Sequence, residues 1–242
     1  MHPLNTLALT VESDGRTAPL LFPVRRVINA GYVGRNRQAV EAHIEELRRE
    51  GIPPPPSVPA LFPVTADNVT TAERIEVLGR ETSGEAEYVL FVQSPDEIYV
   101  GVGSDHTDRA LERDSLGKSK QICKNVVSRQ VWRYDDLQPD WDDLVLQSWV
   151  RSGGAEEVLY QQGTLGSILP PGELLDFVFS RMQDPGREGL VVYSGTIPLL
   201  GGHMIAADQF RTELRNPRTG RRLWCSYRCE ILEFLKGSED TE

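Results

Sequence analysis

Ser83-Gly84-Glu85-Ala86-Glu87-Tyr88-Val89-Leu90-Phe91-Val92 decides the reading of this chain. Aromatic and β-branched residues fill the stretch after a glycine, which is strand composition. Side chains alternate faces along a strand, so Glu85 and Glu87 point the same way, about 7 Å apart. Two carboxylates on one face repel unless a proton or a cation sits between them. Asp105, eighteen residues beyond Glu87, ends the next strand and offers a third carboxylate. Oxygen donors of this kind are the ligands that Mg²⁺ or Mn²⁺ prefers. The rival reading is an edge strand with a solvated acidic face.

Working outward, Ile98–Val102 pairs with Tyr88–Val92 through a Ser-Pro-Asp-Glu turn, and 105–113 reads as a short helix capped by Ser104 or Asp105. Upstream, Leu7–Val11 and Pro19–Val24 alternate around a Ser-Asp-Gly turn as a hairpin. Val27–Tyr32 is a short strand. The clearest helix spans 36–50, with Val40, Ile44 and Leu47 as its apolar stripe and Gly51 after it. Pro53–Pro56 is a stiff extended linker. Downstream come strands near Leu144–Val150 and Glu157–Gln161, a helix over Pro171–Arg181, and a buried strand at Leu190–Tyr193. A final hairpin joins Ala206–Leu214 to Arg221–Cys229. The fold class is α+β, mostly antiparallel strands with few short helices. Residues 1–24 are expected as a hairpin extension packed on a main domain over 25–236, and 237–242 as a disordered tail.

Size and composition bound the function. A chain of 242 residues, 39% hydrophobic and 26% charged, buries an ordinary globular core. A net charge of −10 argues against nucleic acid or an anionic membrane as partner. No apolar run approaches a membrane span. Three cysteines, Cys123, Cys225 and Cys229, leave one unpaired in any disulfide scheme and fit no zinc spacing. A reducing cytoplasm is the expected setting.

Other constellations bear on chemistry. His43 and Glu46 are helical neighbours, and a carboxylate beside an imidazole makes it a better general base; a surface ion pair is the alternative. Arg109, one turn beyond Asp105, can pair with it or clamp a substrate carboxylate. His106 ranks behind Asp105 as a ligand because it faces away from it. Gly117-Lys118-Ser119-Lys120 lacks the first glycine of a phosphate loop, so a lysine here is better placed to neutralise an acidic substrate. Tyr193–Gly202 is a strand running into a glycine-bounded loop whose amides and Thr196 hydroxyl favour an anion; ordinary hairpin closure is the alternative.

Taken in order, these pieces resemble the catalytic domain of the fumarylacetoacetate hydrolase superfamily. The likeness runs through Asn29–Asn36, the His43/Glu46 pair, Pro59–Pro63, Glu85-Ala86-Glu87, Ser104-Asp105 with Arg109, Gly117-Lys118-Ser119, Gln162-Gly163-Thr164 and Ser194-Gly195-Thr196, over residues 25–232. The resemblance implies a mixed β-roll, a homodimer, and Mg²⁺ or Mn²⁺ held by Glu85, Glu87 and Asp105. It implies that His43 and Glu46 activate water and that Lys118 holds the substrate's carboxylate or enolate, a role Lys120 matches equally. Arg109, Lys120, Thr164, Gly195 and Thr196 are the implied substrate contacts. Members cleave carbon–carbon bonds of acylpyruvates and β-diketones, or decarboxylate, isomerise or dehydrate 2-oxo acids. The chain departs from the pattern in its short Glu87–Asp105 spacing, in Ser104 where an asparagine is usual, and in three extra residues before His43. The expected activity is therefore metal-dependent hydrolysis of a small 2-oxo or 1,3-dicarbonyl acid. The rivals are a decarboxylase, isomerase or dehydratase on the same site, or a metal-binding module without turnover.

Overall fold

In the computed structural model the described residues are 5–13, 15–49, 54–184 and 186–234, without the side chains of His43, Glu46 and Leu47. Alternation builds the first hairpin: Leu7 and Leu9 are buried while Ala8 and Thr10 are exposed. The result is β1 (Asn5–Ser13) paired antiparallel to β2 (Arg16–Val24). There follow β3 (Arg26–Gly31), α1 (Arg37–Arg49), β4 (Ala60–Val64), β5 (Val69–Thr70), β6 (Arg74–Val77) and β7 (Thr82–Ser83). The central hairpin is β8 (Ala86–Ser94) and β9 (Glu97–Asp105), succeeded by β10 (Thr107–Asp108), α2 (Arg109–Glu112), α3 (Leu116–Ile122), β11 (Asn125–Val127) and β12 (Gln130–Arg133). The last part holds β13 (Val145–Arg151), β14 (Val158–Thr164), α4 (Pro171–Arg181), β15 (Leu190–Tyr193), β16 (Gln209–Arg215) and β17 (Arg222–Ile231).

The main sheet runs β2-β1-β12-β9-β8-β15-β3-β4, with β11 on β9 and β5 on β11. A second sheet runs β14-β13-β16-β17-β6. Most pairings are antiparallel; β1/β12, β3/β15, β5/β11 and β6/β17 are parallel. The N-terminal hairpin thus continues the main sheet through the β1/β12 pairing. The sheet is tightly curled. Asn29 on β3 and Asn125 on β11 are separated by β15, β8 and β9, yet their side chains bond at 2.7 Å. Four strand spacings of a flat sheet would hold them about 19 Å apart.

That curl makes the mixed β-roll. Strand β8 is buried on both faces, as expected of a central strand. Tyr88, Leu90 and Val92 meet Trp141, Leu146 and the α4 residues Leu174 and Val178. Val89 and Phe91 face the inside of the roll with Phe22, Val27 and Val191. A third cluster, including Ile75, Phe210 and Tyr227, lies under the second sheet. No helix among the described residues is long and apolar enough to cross a membrane.

Candidate metal centre

Glu85 and Asp105 are joined across the β8–β9 hairpin by two backbone bonds, each amide donating to the other's carbonyl at 3.2 Å. Residues paired in this way project side chains to the same face. Glu87 is two residues on, hence also on that face, opposite Gly103. A side chain at Gly103 does not fit: its Cβ would stand 2.6 Å from Val126 O and 2.9 Å from Tyr193 Cε1. Carboxylate oxygens of Glu85, Glu87 and Asp105 consequently lie within 4.8 Å of one another. Glu87 and Asp105 are buried, and Glu85 is partly open.

Two cations brace this cluster. Lys120 Nζ donates to Asp105 Oδ2 at 2.5 Å and Thr107 Oγ1 at 3.2 Å, with Glu85 Oε2 at 3.5 Å. Arg109 places Nη2 3.2 Å from Glu85 Oε1, while Nη1 donates to Glu112 Oε2 at 2.8 Å and Nε to Ser83 Oγ at 2.7 Å. The ribbon of β7 and β10 sets that arginine beside Ser83. Glu87 accepts from the Gly195 amide at 2.8 Å.

Burial raises the Glu87 carboxyl well above its ordinary pKa, and the Asp105 and Glu85 charges push the same way. Burial also raises Asp105, against the pull of Lys120. At Glu85 burial is overruled by Arg109 and Lys120, which hold the group down at about 2. Burial would lower Lys120, but Asp105 and Glu85 more than offset it and keep the ammonium charged.

The donor set fits a hard divalent cation. With Glu112 there are, among the described residues, four carboxylates against two cations, a formal charge of −2 when every group is ionised. Asp105 Oδ1 is buried and has no hydrogen-bond partner among the described residues, an arrangement that costs free energy unless something positive meets it. All three cluster donors are oxygens, the ligands of Mg²⁺ and Mn²⁺. A surface groove of about 720 Å³, lined by Arg74, Leu78, Ile122 and Leu232 among others, touches none of the three carboxylates. The chemistry, not concavity, marks the site.

Residues 30–227 match the family described as "Protein of unknown function (DUF2848)". The chain belongs to that family. No curated protein matches the sequence. Among solved structures, Cg1458 with an inhibitor is similar at TM-score 0.63 and 18% identity, over 90% of this chain and 84% of that one. A 2-keto-3-deoxyarabinonate dehydratase is similar at TM-score 0.60 and 14% identity, over 90% of this chain and 86% of the other. The shared architecture shows that this DUF2848 chain has the fold that the superfamily resemblance implied.

Several expected residues sit elsewhere than anticipated. Asp105 is the last residue of β9, not a helix cap; the helix starts at Arg109, and Asp108 caps it by accepting from the Leu111 amide. Arg109 is committed to Glu85, Glu112 and Ser83, so it braces the cluster instead of standing free as a substrate clamp. On α3, Lys120 is buried at the carboxylates and Lys118 is exposed, so Lys120 takes the place offered to either lysine. Thr164 is exposed at the end of β14. Gly195 and Thr196 hold the ligand strand: the Gly195 amide binds Glu87, and the Thr196 hydroxyl donates to Ala86 O at 2.8 Å. His106 faces away from the cluster, as expected, with Nδ1 2.9 Å from Tyr227 Oη, and burial pushes its pKa down to about 3. The helix α1 carrying His43 and Glu46 is present, but the two side chains lie outside the described residues, as does the segment expected as a tail.

Gln161 escaped sequence reasoning. Fully buried, it accepts from the Ala86 amide at 3.0 Å and donates to Thr196 Oγ1 at 2.8 Å and Ile197 O at 2.7 Å. It therefore ties the start of β8 to the loop that holds Glu87. Glu112 and Ser83 also went unnoticed, because their role exists only through Arg109.

Proposed function

We propose that this chain is a divalent-metal-dependent enzyme of small 2-oxo acids that hydrolyses a carbon–carbon bond of a substrate such as an acylpyruvate. The observation that carries the reading is the convergence of Glu85, Glu87 and Asp105 with a buried Asp105 oxygen that has no hydrogen-bond partner among the described residues. The reading includes Mg²⁺ or Mn²⁺ as the cation, a homodimeric assembly and a cytoplasmic setting.

When bound, the cation supplies Lewis-acid polarisation of a chelating 2-oxo acid. The rest falls to the chain's own groups. Glu85, Glu87 and Asp105 would hold the ion, Arg109 and the Gly195 amide fixing two of those carboxylates in place. Lys120 is a buried, permanently charged ammonium beside the cluster. It would face the negative charge that develops on a substrate oxygen as the bond breaks, in surroundings where such a charge interaction is strong. His43 and Glu46, on the exposed helix α1, would take the proton from water.

A second reading, dehydration of a 2-oxo acid, is favoured by the shared fold with the 2-keto-3-deoxyarabinonate dehydratase. The two readings differ in whether the proton-moving groups add or remove water. A panel of acylpyruvates, oxaloacetate and 2-oxo-3-deoxy sugar acids, assayed with Mn²⁺ and followed by product identification, separates them. No turnover of any of these by metal-loaded protein would sink both.

A further inference from the structure

Tyr32 is the one non-glycine residue among the described residues with a left-handed backbone, at φ +58°. The Cβ makes that conformation costly, and tyrosine lacks the short polar side chain with which Asn or Asp offsets it. Strain of this kind persists only where the surroundings hold it in place, and it gathers at ligand sites.

The surroundings here are those of the carboxylate cluster. Tyr32 directly follows β3, and its neighbours pack on the loop that holds Glu87. A Cβ on Gly195 would meet Val33 Cγ2 at 2.7 Å and Ala30 O at 3.1 Å. Three residues before Tyr32, Asn29 bonds Asn125, whose backbone pairs with Asp105. The ring is half-buried, and no hydrogen bond engages its hydroxyl among the described residues. Burial raises its pKa, and the charges of Glu112 and Glu85 add to that against Lys120, so the phenol remains a proton donor at neutral pH.

We propose that Tyr32 is a ligand-binding residue of the carboxylate site, its hydroxyl donating to an oxygen of the bound organic anion, and that the left-handed turn aims the ring there. This rests on the reading of the cluster as a metal-dependent 2-oxo acid site. Oxalate, a small dicarboxylate with the chelating oxygens of a 2-oxo acid, is a suitable probe.

The test is calorimetric titration of the full chain with Mn²⁺, then with oxalate at saturating Mn²⁺, for wild type and Tyr32→Phe, with Tm measured alongside. The expected result is unchanged Mn²⁺ affinity, unchanged Tm and oxalate binding weakened about tenfold or more, the scale of a hydrogen bond to a charged group. Oxalate binding equal to wild type, or a fall in Tm without loss of oxalate affinity, overturns the assignment. So does wild-type protein that takes Mn²⁺ but no oxalate, which leaves the metal reading standing. If wild type fails to bind Mn²⁺ at all, the metal reading falls first and takes Tyr32's role with it.

Discussion

Lys120 Nζ lies 2.5 Å from Asp105 Oδ2, so the acid that completes the carboxylate cluster is matched by a buried ammonium from a separate helix. The pair explains how three carboxylates sit together inside a folded chain. It also predicts what happens when the ammonium goes. Lys120→Met leaves the cluster facing Arg109 alone, and breaking a buried pair costs about 3–5 kcal/mol. For a chain of this length that is a fall in Tm on the order of 10 °C. Saturating Mn²⁺ should raise the Tm of this variant by more than it raises wild type, as scanning calorimetry in both conditions can show. Equal gains would mean that Lys120 and the cation do not share the same charges.

A second expectation concerns Gly195. Its φ is +83°, and an added Cβ would stand 2.7 Å from Val33 Cγ2. Gly195→Ala therefore combines left-handed strain of about 1–2 kcal/mol with a clash. Relief requires the loop to move, which takes the amide off Glu87. Lower Tm together with Mn²⁺ affinity reduced about tenfold is the expected pattern. A lower Tm with unchanged affinity would show that this amide does not position the ligand.

Proton linkage gives a third. Glu87 has a folded pKa raised well above 4.5, so its contribution to apo stability is full below about pH 4.5 and is lost as pH rises through the folded value. A cation must displace that proton, so binding releases protons and strengthens with pH. The Tm gain from saturating Mn²⁺ should be larger at pH 8 than at pH 5.5. His106, whose pKa burial pushes down to about 3, is already neutral at both pH values and does not enter this difference. A gain that shrinks as pH rises would contradict the assignment of Glu87 as a ligand.

Much of this was legible in the residues. Tyr88 pairs with Val102 and Val92 with Ile98, the register that the Ser94–Glu97 turn dictates. Helix α4 and strand β15 have the bounds that Pro171, Arg181 and the Leu190–Tyr193 run announce. Local chemistry misled at Asp105, where an acid before a helix looks like a cap; pairing with Glu85 claims it for the strand, and Asp108 caps instead. The choice between Lys118 and Lys120 depended on which face of α3 packs inward, a tertiary matter that a seven-residue helix does not encode by itself. Gln161 was invisible for a similar reason. Its partners Ala86, Thr196 and Ile197 come from strands and loops far away in the chain.

The central claim is that Glu85, Glu87 and Asp105 hold one divalent cation. Mn²⁺ titration followed by electron paramagnetic resonance tests it most directly, comparing wild type with Glu87→Gln and with Asp105→Asn. The account predicts one bound Mn²⁺ per chain in wild type, and affinity reduced about a hundredfold in each variant, a loss of about 2.7 kcal/mol. Wild type that leaves Mn²⁺ free in solution, or variants that bind it as tightly as wild type, would contradict it.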